Sequence, residues 1–215
     1  MRIDGLIFDN DGTLVDSEGV AAQVLSELLQ QRGIDLSSES ILEHSRGVRF
    51  AAFVAKLGDA YPALGTEAFV AEYRERSQAR FRERTEAMPG ARAFLEQSTL
   101  PRCVASNGPR EKIETTLQSA GLLALFKDRI VSAYEVESWK PDPGLIHEAV
   151  RLLGLEARHC LLVEDSVAGV MAGLAAGTHV AGYGEVDLSR FDGEPGFHRV
   201  RDYAALAELI KRHAA

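Results

Sequence analysis

The 215-residue chain is 46% hydrophobic and 26% charged, proportions that suit one sizeable core plus a smaller appended unit and argue against disorder. A formal net charge of -8 and a pI near 5.3 argue against a nucleic-acid or anionic-membrane surface, so an anionic ligand must be attracted by local groups. No apolar stretch reaches membrane-span length and no leader pattern opens the sequence, which gives the expectation of a soluble, cytoplasmic protein.

In chain order, the first element is the apolar run "LIFDN", read as a buried strand that stops at Asp9, Asn10, Asp11 and Gly12. Residues 18–86 then read as successive helices: "VAAQVLSELLQQRG" ending at Gly33, a piece around "RFAAFVAKLG" ending at Gly58, and "TEAFVAEYRERSQARFRERTEA". In the last of these, glutamates nearly balance the arginines, as on a solvated helical face with salt-bridge spacing. Strands follow at "RCVASN", "RIVSA", "CLLVED" and "THVAGYG", and "YAALAELIKRH" is the last helix. These strands lack clean alternation and are separated by helical segments, which is the pattern of a parallel sheet covered on both faces. The glycines of "SVAGVMAGLAAG" lie within a helix and suit close helix–sheet packing better than a phosphate loop. The expected fold is α/β, with a discontinuous core over 1–17 and 87–215 and a helical cap over 18–86, joined near residues 15–17 and 87–89.

Ligands of open doubly wound sheets bind at the carboxyl ends of the strands. Four such ends carry polar groups here: Asp9 with Asp11, Ser106 with Asn107, Lys140, and Glu164 with Asp165. Carboxylates converging in one crevice repel one another unless a cation joins them, and an all-oxygen donor set points to a hard ion, Mg2+ before Zn2+. Positions i and i+2 of an extended chain point to the same side, so Asp9 and Asp11 can act on one substrate. Asp9 can attack phosphorus to give an aspartyl phosphate, and Asp11 can protonate the leaving oxygen and then take a proton from water. Gly12 permits the tight turn, and Thr13 offers a hydroxyl to hold Asp11 or the loop. Lys140 can neutralise the nucleophile and the phosphoryl group, while Ser106 and the backbone N–H groups near Asn107 and Gly108 bind its oxygens. Pro109 starts a helix whose positive end faces the anion.

The four motifs "DNDGT", "SN", "KPDP" and "EDS", in this order, resemble the haloacid dehalogenase superfamily of phosphohydrolases, and the resemblance covers essentially the whole chain. It implies a Rossmann-like core with an inserted helical cap, Asp9 as nucleophile, Asp11 as general acid and base, and Ser106 and Lys140 as phosphate contacts. It also implies a Mg2+ site made by Asp9, the Asp11 carbonyl and Asp165, with Glu164 a direct or water-mediated contributor. "DSE", "SNGP" and "WKPDP" resemble most the branch of 6-phosphogluconate phosphatase and other sugar-phosphate phosphatases. The function implied is hydrolysis of a small phosphorylated metabolite, a sugar or sugar-acid phosphate. Two alternatives stand beside it, a phosphosugar mutase of the beta-phosphoglucomutase type and a phospho-aspartyl signalling module.

Departures from relatives narrow the choice. Mutase relatives carry a cap histidine where this chain reads "EGVAA" with Ala21, true dehalogenases lack the second aspartate, and Lys56 sits in an amphipathic helix unlike an activated amine. "HSRGVRF" places Arg46 and Arg49 beside a glycine in the cap, where an arginine can bind a substrate carboxylate or second phosphate bidentately. Cys103 and Cys160 lie in apolar runs and read as buried thiols. His147, His159 and His179 lack ligand spacing and read as structural or surface groups. No oligomeric partner is implied, and a monomer is compatible with the sequence.

Overall fold

The computed structural model describes residues 2–45, 50–64, 66–126 and 128–213. Arg46 and Arg49, read from the sequence as substrate contacts, lie outside these residues.

The strands are β1 (Gly5–Phe8), β2 (Val15–Asp16), β3 (Glu86–Ala87), β4 (Arg102–Ser106), β5 (Ile130–Ser132), β6 (Cys160–Glu164), β7 (His179–Tyr183) and β8 (Phe197–Val200). Six of them form one parallel sheet in the order β5-β4-β1-β6-β7-β8. The chain leaves β1 in one direction through β4 and β5, then returns to the other side for β6 to β8. Its switch point lies beside β1, where ligand crevices form in such sheets.

The α-helices are α1 (Glu18–Gln30), α2 (Ser38–Ser45), α3 (Phe50–Ala60), α4 (Thr66–Arg84), α5 (Ala91–Gln97), α6 (Arg110–Ser119), α7 (Leu123–Phe126), α8 (Ala133–Val136), α9 (Gly144–Leu153), α10 (Val167–Ala175) and α11 (Tyr203–Lys211). Alternate strand residues feed two separate apolar layers, as both faces are covered. Leu6, Phe8, Leu161 and Val163 pack with Ala91, Ile113, Leu117 and Leu206 of α5, α6 and α11 on one face. Ile7, Cys103, Leu162 and Val180 pack with Leu145, Ile146 and Val170 of α9 and α10 on the other. Both cysteines are free and buried, and burial pushes the Cys160 thiol up to about 11.

A third apolar cluster belongs to the helices between β2 and β3, with Leu25, Leu28, Leu29, Ile41, Phe53, Leu57 and Phe69 among its members. Both crossings to this insertion run through one antiparallel ribbon, in which Val15 pairs with Ala87 and Asp16 with Glu86. The arginine-rich helix α4 uses its charges partly along itself, Arg76 with Glu72 at 2.6 Å, and partly across, Glu72 with Arg32 just past α1 and Arg80 with Glu27 of α1.

Two details differ from the sequence reading. α3 runs past Gly58 to Ala60, and "FHRV" forms β8, an edge strand with His198 and Arg199 at its centre that no apolar run announces. The glycines of α10 do serve close packing. A Cβ on Gly173 would come within 2.6 Å of Leu162 Cδ2 and Val180 Cγ2, and one on Gly169 within 1.9 Å of Glu164 Cδ. Gly173→Ala should therefore lower stability, because overpacking costs about 1–3 kcal/mol and the gain in helix propensity returns only about 1. Denaturant unfolding checks this, and an unchanged midpoint would contradict the close approach.

Candidate active site

The carboxyl ends of β1, β4 and β6 lie side by side, with Phe8 in register with both Val104 and Val163. Asp9 follows β1 with its N–H donated to Val163 O at 3.0 Å, Ser106 ends β4, and Glu164 ends β6. All three are nearly or fully buried. Lys140 arrives from the segment between α8 and α9, and Asn107 fixes its main chain. The Asn107 Oδ1 accepts from Lys140 N at 2.9 Å, and its Nδ2 donates to Lys140 O at 3.4 Å. Gly108 donates its N–H to Ser106 Oγ at 3.1 Å, which orients that hydroxyl's remaining proton. The sequence reading placed the Asn107–Gly108 backbone near an anion; the Asn107 side chain's task as a clamp on Lys140 was not foreseen. Pro109 is the N-cap of α6, as expected.

The Lys140 Nζ donates to Asp9 Oδ1 at 2.6 Å and to Glu164 Oε2 at 2.6 Å, with only 3% of the side chain exposed. Glu164 also accepts, through Oε1, from Ser166 N at 3.0 Å and Ser166 Oγ at 2.8 Å. Beside this pair, one oxygen each from Asp9, Glu164 and Asp165 lie within 4.8 Å of one another. Three carboxylates against one ammonium leave excess negative charge in a buried place. Burial and the neighbouring Glu164 accordingly push the Asp9 carboxyl up to about 7, against the pull of Lys140. Burial, Glu164 and Asp9 hold Asp165 well above the usual carboxylate range. For Lys140, the charges of Asp9 and Glu164 outweigh burial and keep it firmly protonated. A divalent cation with oxygen ligands fits this donor set, because it removes the repulsion that the lone lysine leaves.

Asp11 stands in a different network. Its Oδ2 accepts from Lys112 Nζ at 2.8 Å, and its Oδ1 accepts from Asn10 Nδ2 at 3.3 Å and from the Ser17 hydroxyl. Burial raises this carboxyl, but Lys112 and the hydrogen-bond donors prevail and hold it below its ordinary value. Asn10 also donates to Thr116 Oγ1 at 3.1 Å, so its amide ties the turn to α6. Gly12, at φ +76°, closes the turn; a Cβ there would lie 2.2 Å from Asp165 Oδ2. Thr13 points its hydroxyl toward Asp165 Oδ1 at 3.5 Å and not toward Asp11, while Tyr203 OH donates to its carbonyl at 2.7 Å.

A pocket of about 200 Å³ opens from Asp11 and Lys112 toward the insertion. Ser17 and Glu18 join them at the polar end, and Leu25, Ile41 and Phe53 form an apolar wall. This volume lies below the roughly 300–1,000 Å³ of pockets for drug-sized ligands, and suits a small metabolite. A larger open groove of about 480 Å³ runs along the edge strand β5 beside Arg110 and Glu135, away from every strand-end carboxylate named above. His159 pairs with Asp4 at 3.5 Å just before β6 and β1, at the amino ends of these strands, and His179 at the start of β7 lies tilted against His198 of β8 with centroids 6.0 Å apart, so neither histidine is at the carboxyl-end crevice. Lys56 is exposed on α3. Lys112 and Ser17 were missed from sequence. "SNGPREK" holds the first in plain view, and only helical phase after Pro109 could have aimed it at the crevice.

The raised Asp9 carboxyl has a consequence for metal-free protein. Its value of about 7 in the fold, against about 3.9 in an unfolded chain, means that the folded state binds the extra proton. The stabilisation is fully present below about pH 4 and is lost as pH rises through 7. In EDTA, Asp9→Asn should thus melt higher than the parent at pH 8, with the gap closing toward pH 4. Saturating Mg2+ should reverse the order at pH 8. Thermal unfolding of both proteins checks this, and identical pH profiles would contradict the charge excess.

Residues 3–177 match the family of haloacid dehalogenase-like hydrolases. The chain is 36% identical over 181 residues to 6-phosphogluconate phosphatase of Escherichia coli (strain K12), covering 83% of this chain and 81% of that protein. It is 32% identical over 185 residues to hexitol phosphatase A of the same organism, covering 84% and 82%. Among solved structures, a haloacid dehalogenase family hydrolase from Deinococcus radiodurans R1 with bound phosphate and sodium superposes with a TM-score of 0.78 at 31% identity, over 98% of this chain and 96% of that one. On these matches, and on a Rossmann-like sheet that gathers Asp9, Lys140, Glu164 and Asp165 at its switch point, the chain belongs to the haloacid dehalogenase-like hydrolases.

Proposed function

We propose that this hydrolase is a Mg2+-dependent phosphoric monoester hydrolase acting on a small phosphorylated metabolite, a sugar or sugar-acid phosphate such as 6-phosphogluconate. The observation that carries this reading is the buried Asp9 carboxylate hydrogen-bonded to Lys140, two residues before a second carboxylate that faces a small pocket. The relatives named as 6-phosphogluconate phosphatase and hexitol phosphatase support the substrate class.

In this reading Asp9 attacks the phosphorus atom, the bond to the leaving oxygen breaks, and Asp11 gives that oxygen its proton. Lys140 and the Ser106 hydroxyl hold the phosphoryl oxygens. Water then attacks the aspartyl phosphate, Asp11 takes the water's proton, and inorganic phosphate leaves. Asp9, Glu164 and Asp165, with the Asp11 carbonyl, would hold Mg2+, which would supply positive charge for the transferring group. Residues 18–86 act as the cap, closing the pocket over the leaving group and reading its shape. Ala21, which lines that pocket, offers only a methyl group where mutase relatives carry a histidine, so transfer to water is favoured over return to a sugar.

Phosphate release from a panel of sugar phosphates, sugar-acid phosphates, nucleotides and phosphoglycolate, with Mg2+ and with EDTA, tests the reading. Metal-dependent release concentrated on sugar or sugar-acid phosphates is expected. Asp9→Asn should lower turnover by on the order of a thousandfold or more while leaving the protein folded. Retained turnover would remove Asp9 as nucleophile, and a persistent phosphorylated protein without release would point to a phospho-aspartyl switch.

A further inference from the structure

From Glu72 onward α4 is largely charged, yet Tyr73, Ser77 and Phe81 recur every four residues, the spacing that puts side chains on one face of a helix. Ser77 and Phe81 are each only 3% exposed. The stripe looks toward the core: the Phe81 ring lies over the Lys112 ammonium at 5.5 Å from its centroid, and Ser119 of α6 donates to Thr85 O just beyond the stripe at 3.1 Å. Tyr73 is the member of the stripe that reaches the pocket. Its ring packs against the apolar cluster of the insertion, while the residue lines the pocket together with Asp11 and Lys112. The charges of Lys112 and Asp11 both act on its phenol group. An anchored ring thus carries its hydroxyl to the polar end of the pocket.

Most of what the insertion brings to this pocket is apolar. Ala21, Ala22, Leu25, Ile41, Leu42 and Phe53 offer no polar side-chain atom, and among the described residues only Glu18 and Tyr73 of the insertion do. The core's own Ser17 and Lys112 both donate to Asp11. A hydroxyl group taken from water into such a place must find a partner there, because its desolvation is otherwise uncompensated. A carboxylate can only accept, whereas a phenol both donates and accepts. Burial holds the Tyr73 phenol above its ordinary value against the pull of Lys112, so its proton stays in place at neutral pH. We propose that Tyr73 is a specificity-determining residue, its hydroxyl hydrogen-bonding a hydroxyl group of the leaving sugar or polyol while the apolar wall packs on that group's C–H face. This rests on the phosphatase reading and narrows its substrate class to esters whose leaving group carries a hydroxyl beyond the ester oxygen.

The leaving group supplies the test, since a site built to bond a hydroxyl rejects the analogue that lacks it. With Mg2+ present, kcat/KM is measured for the sugar phosphate that the enzyme hydrolyses fastest, for n-hexyl phosphate and for p-nitrophenyl phosphate. The proteins are the parent and Tyr73→Phe, which deletes one oxygen and keeps the ring. The parent should favour the sugar ester over the hexyl ester by about a hundredfold or more. Tyr73→Phe should lose at least about tenfold more on the sugar ester than on either of the others, narrowing that preference. Should the Phe variant fail to fold, Tyr73→Met is measured with the same three esters. Equal losses on all three esters, or no loss on the sugar ester, would reduce Tyr73 to a packing residue and overturn the proposal. No release by the parent from any of the three would overturn the phosphatase reading, and this inference with it.

Discussion

The ammonium of Lys140, hydrogen-bonded to both Asp9 and Glu164 in a site closed to solvent, is the constraint around which the crevice is built. Taking three ions out of water costs several kcal/mol for each, and the attraction between them repays this only when the remaining polar atoms are also satisfied. The surroundings meet that condition one residue at a time. Asn107 grips the Lys140 main chain on both sides, Ser166 occupies the second oxygen of Glu164, and Gly169 lacks the side chain that would displace that carboxylate. α10 can approach so closely because its glycines leave room, and Ser166 caps its first turn by accepting from Gly169 N. Strand, helix and loop geometry at the crevice all answer to one buried charge.

Two lysines divide the work of two aspartates. Lys140 serves Asp9 in the fully buried part of the site, where carboxylates outnumber cations and the balance calls for a metal ion. Lys112 serves Asp11 at the pocket's mouth, where one carboxylate meets an ammonium, an amide and a hydroxyl. The two carboxyl groups, chemically alike and two residues apart, are consequently driven in opposite directions, Asp9 upward and Asp11 downward. The nucleophilic and acid roles proposed for them call for the opposite order, an ionised Asp9 and a protonated Asp11, so a cation beside Asp9 is needed to return it to the carboxylate.

Much of the core was legible because its logic is local. The runs ending at Asp9, Ser106 and Glu164 are short, apolar and bounded by polar residues, so strand and site announce themselves together. The glycines of α10 could be assigned to packing because their spacing is helical. What escaped detection depends on contacts remote in sequence. Lys112 meets Asp11 from 101 positions away and Asn107 meets Lys140 from 33, and neither pairing leaves a mark on its own segment. β8 was hidden because an edge strand tolerates His198 and Arg199 where an interior one does not, and the ribbon of β2 and β3 has too few residues to show a period. The charges of α4 were read as a solvated face, yet Arg80 bridges to Glu27 of α1 and Glu72 to Arg32 just past it, since sequence reveals the spacing along a helix but not its neighbour.

That ribbon carries an evolutionary consequence. Chain entry and exit lie on adjacent antiparallel strands, and paired residues in such a ladder sit about 4.5–5.5 Å apart, a gap that a two-residue turn spans. Everything between Asp16 and Glu86 is therefore topologically silent toward the sheet: lengthening, shortening or exchanging it leaves strand order, register and the buried lysine where they are. An exchanged insertion must still restore its contacts to the crevice, the Ser17 hydroxyl on Asp11 and the Phe81 ring over Lys112.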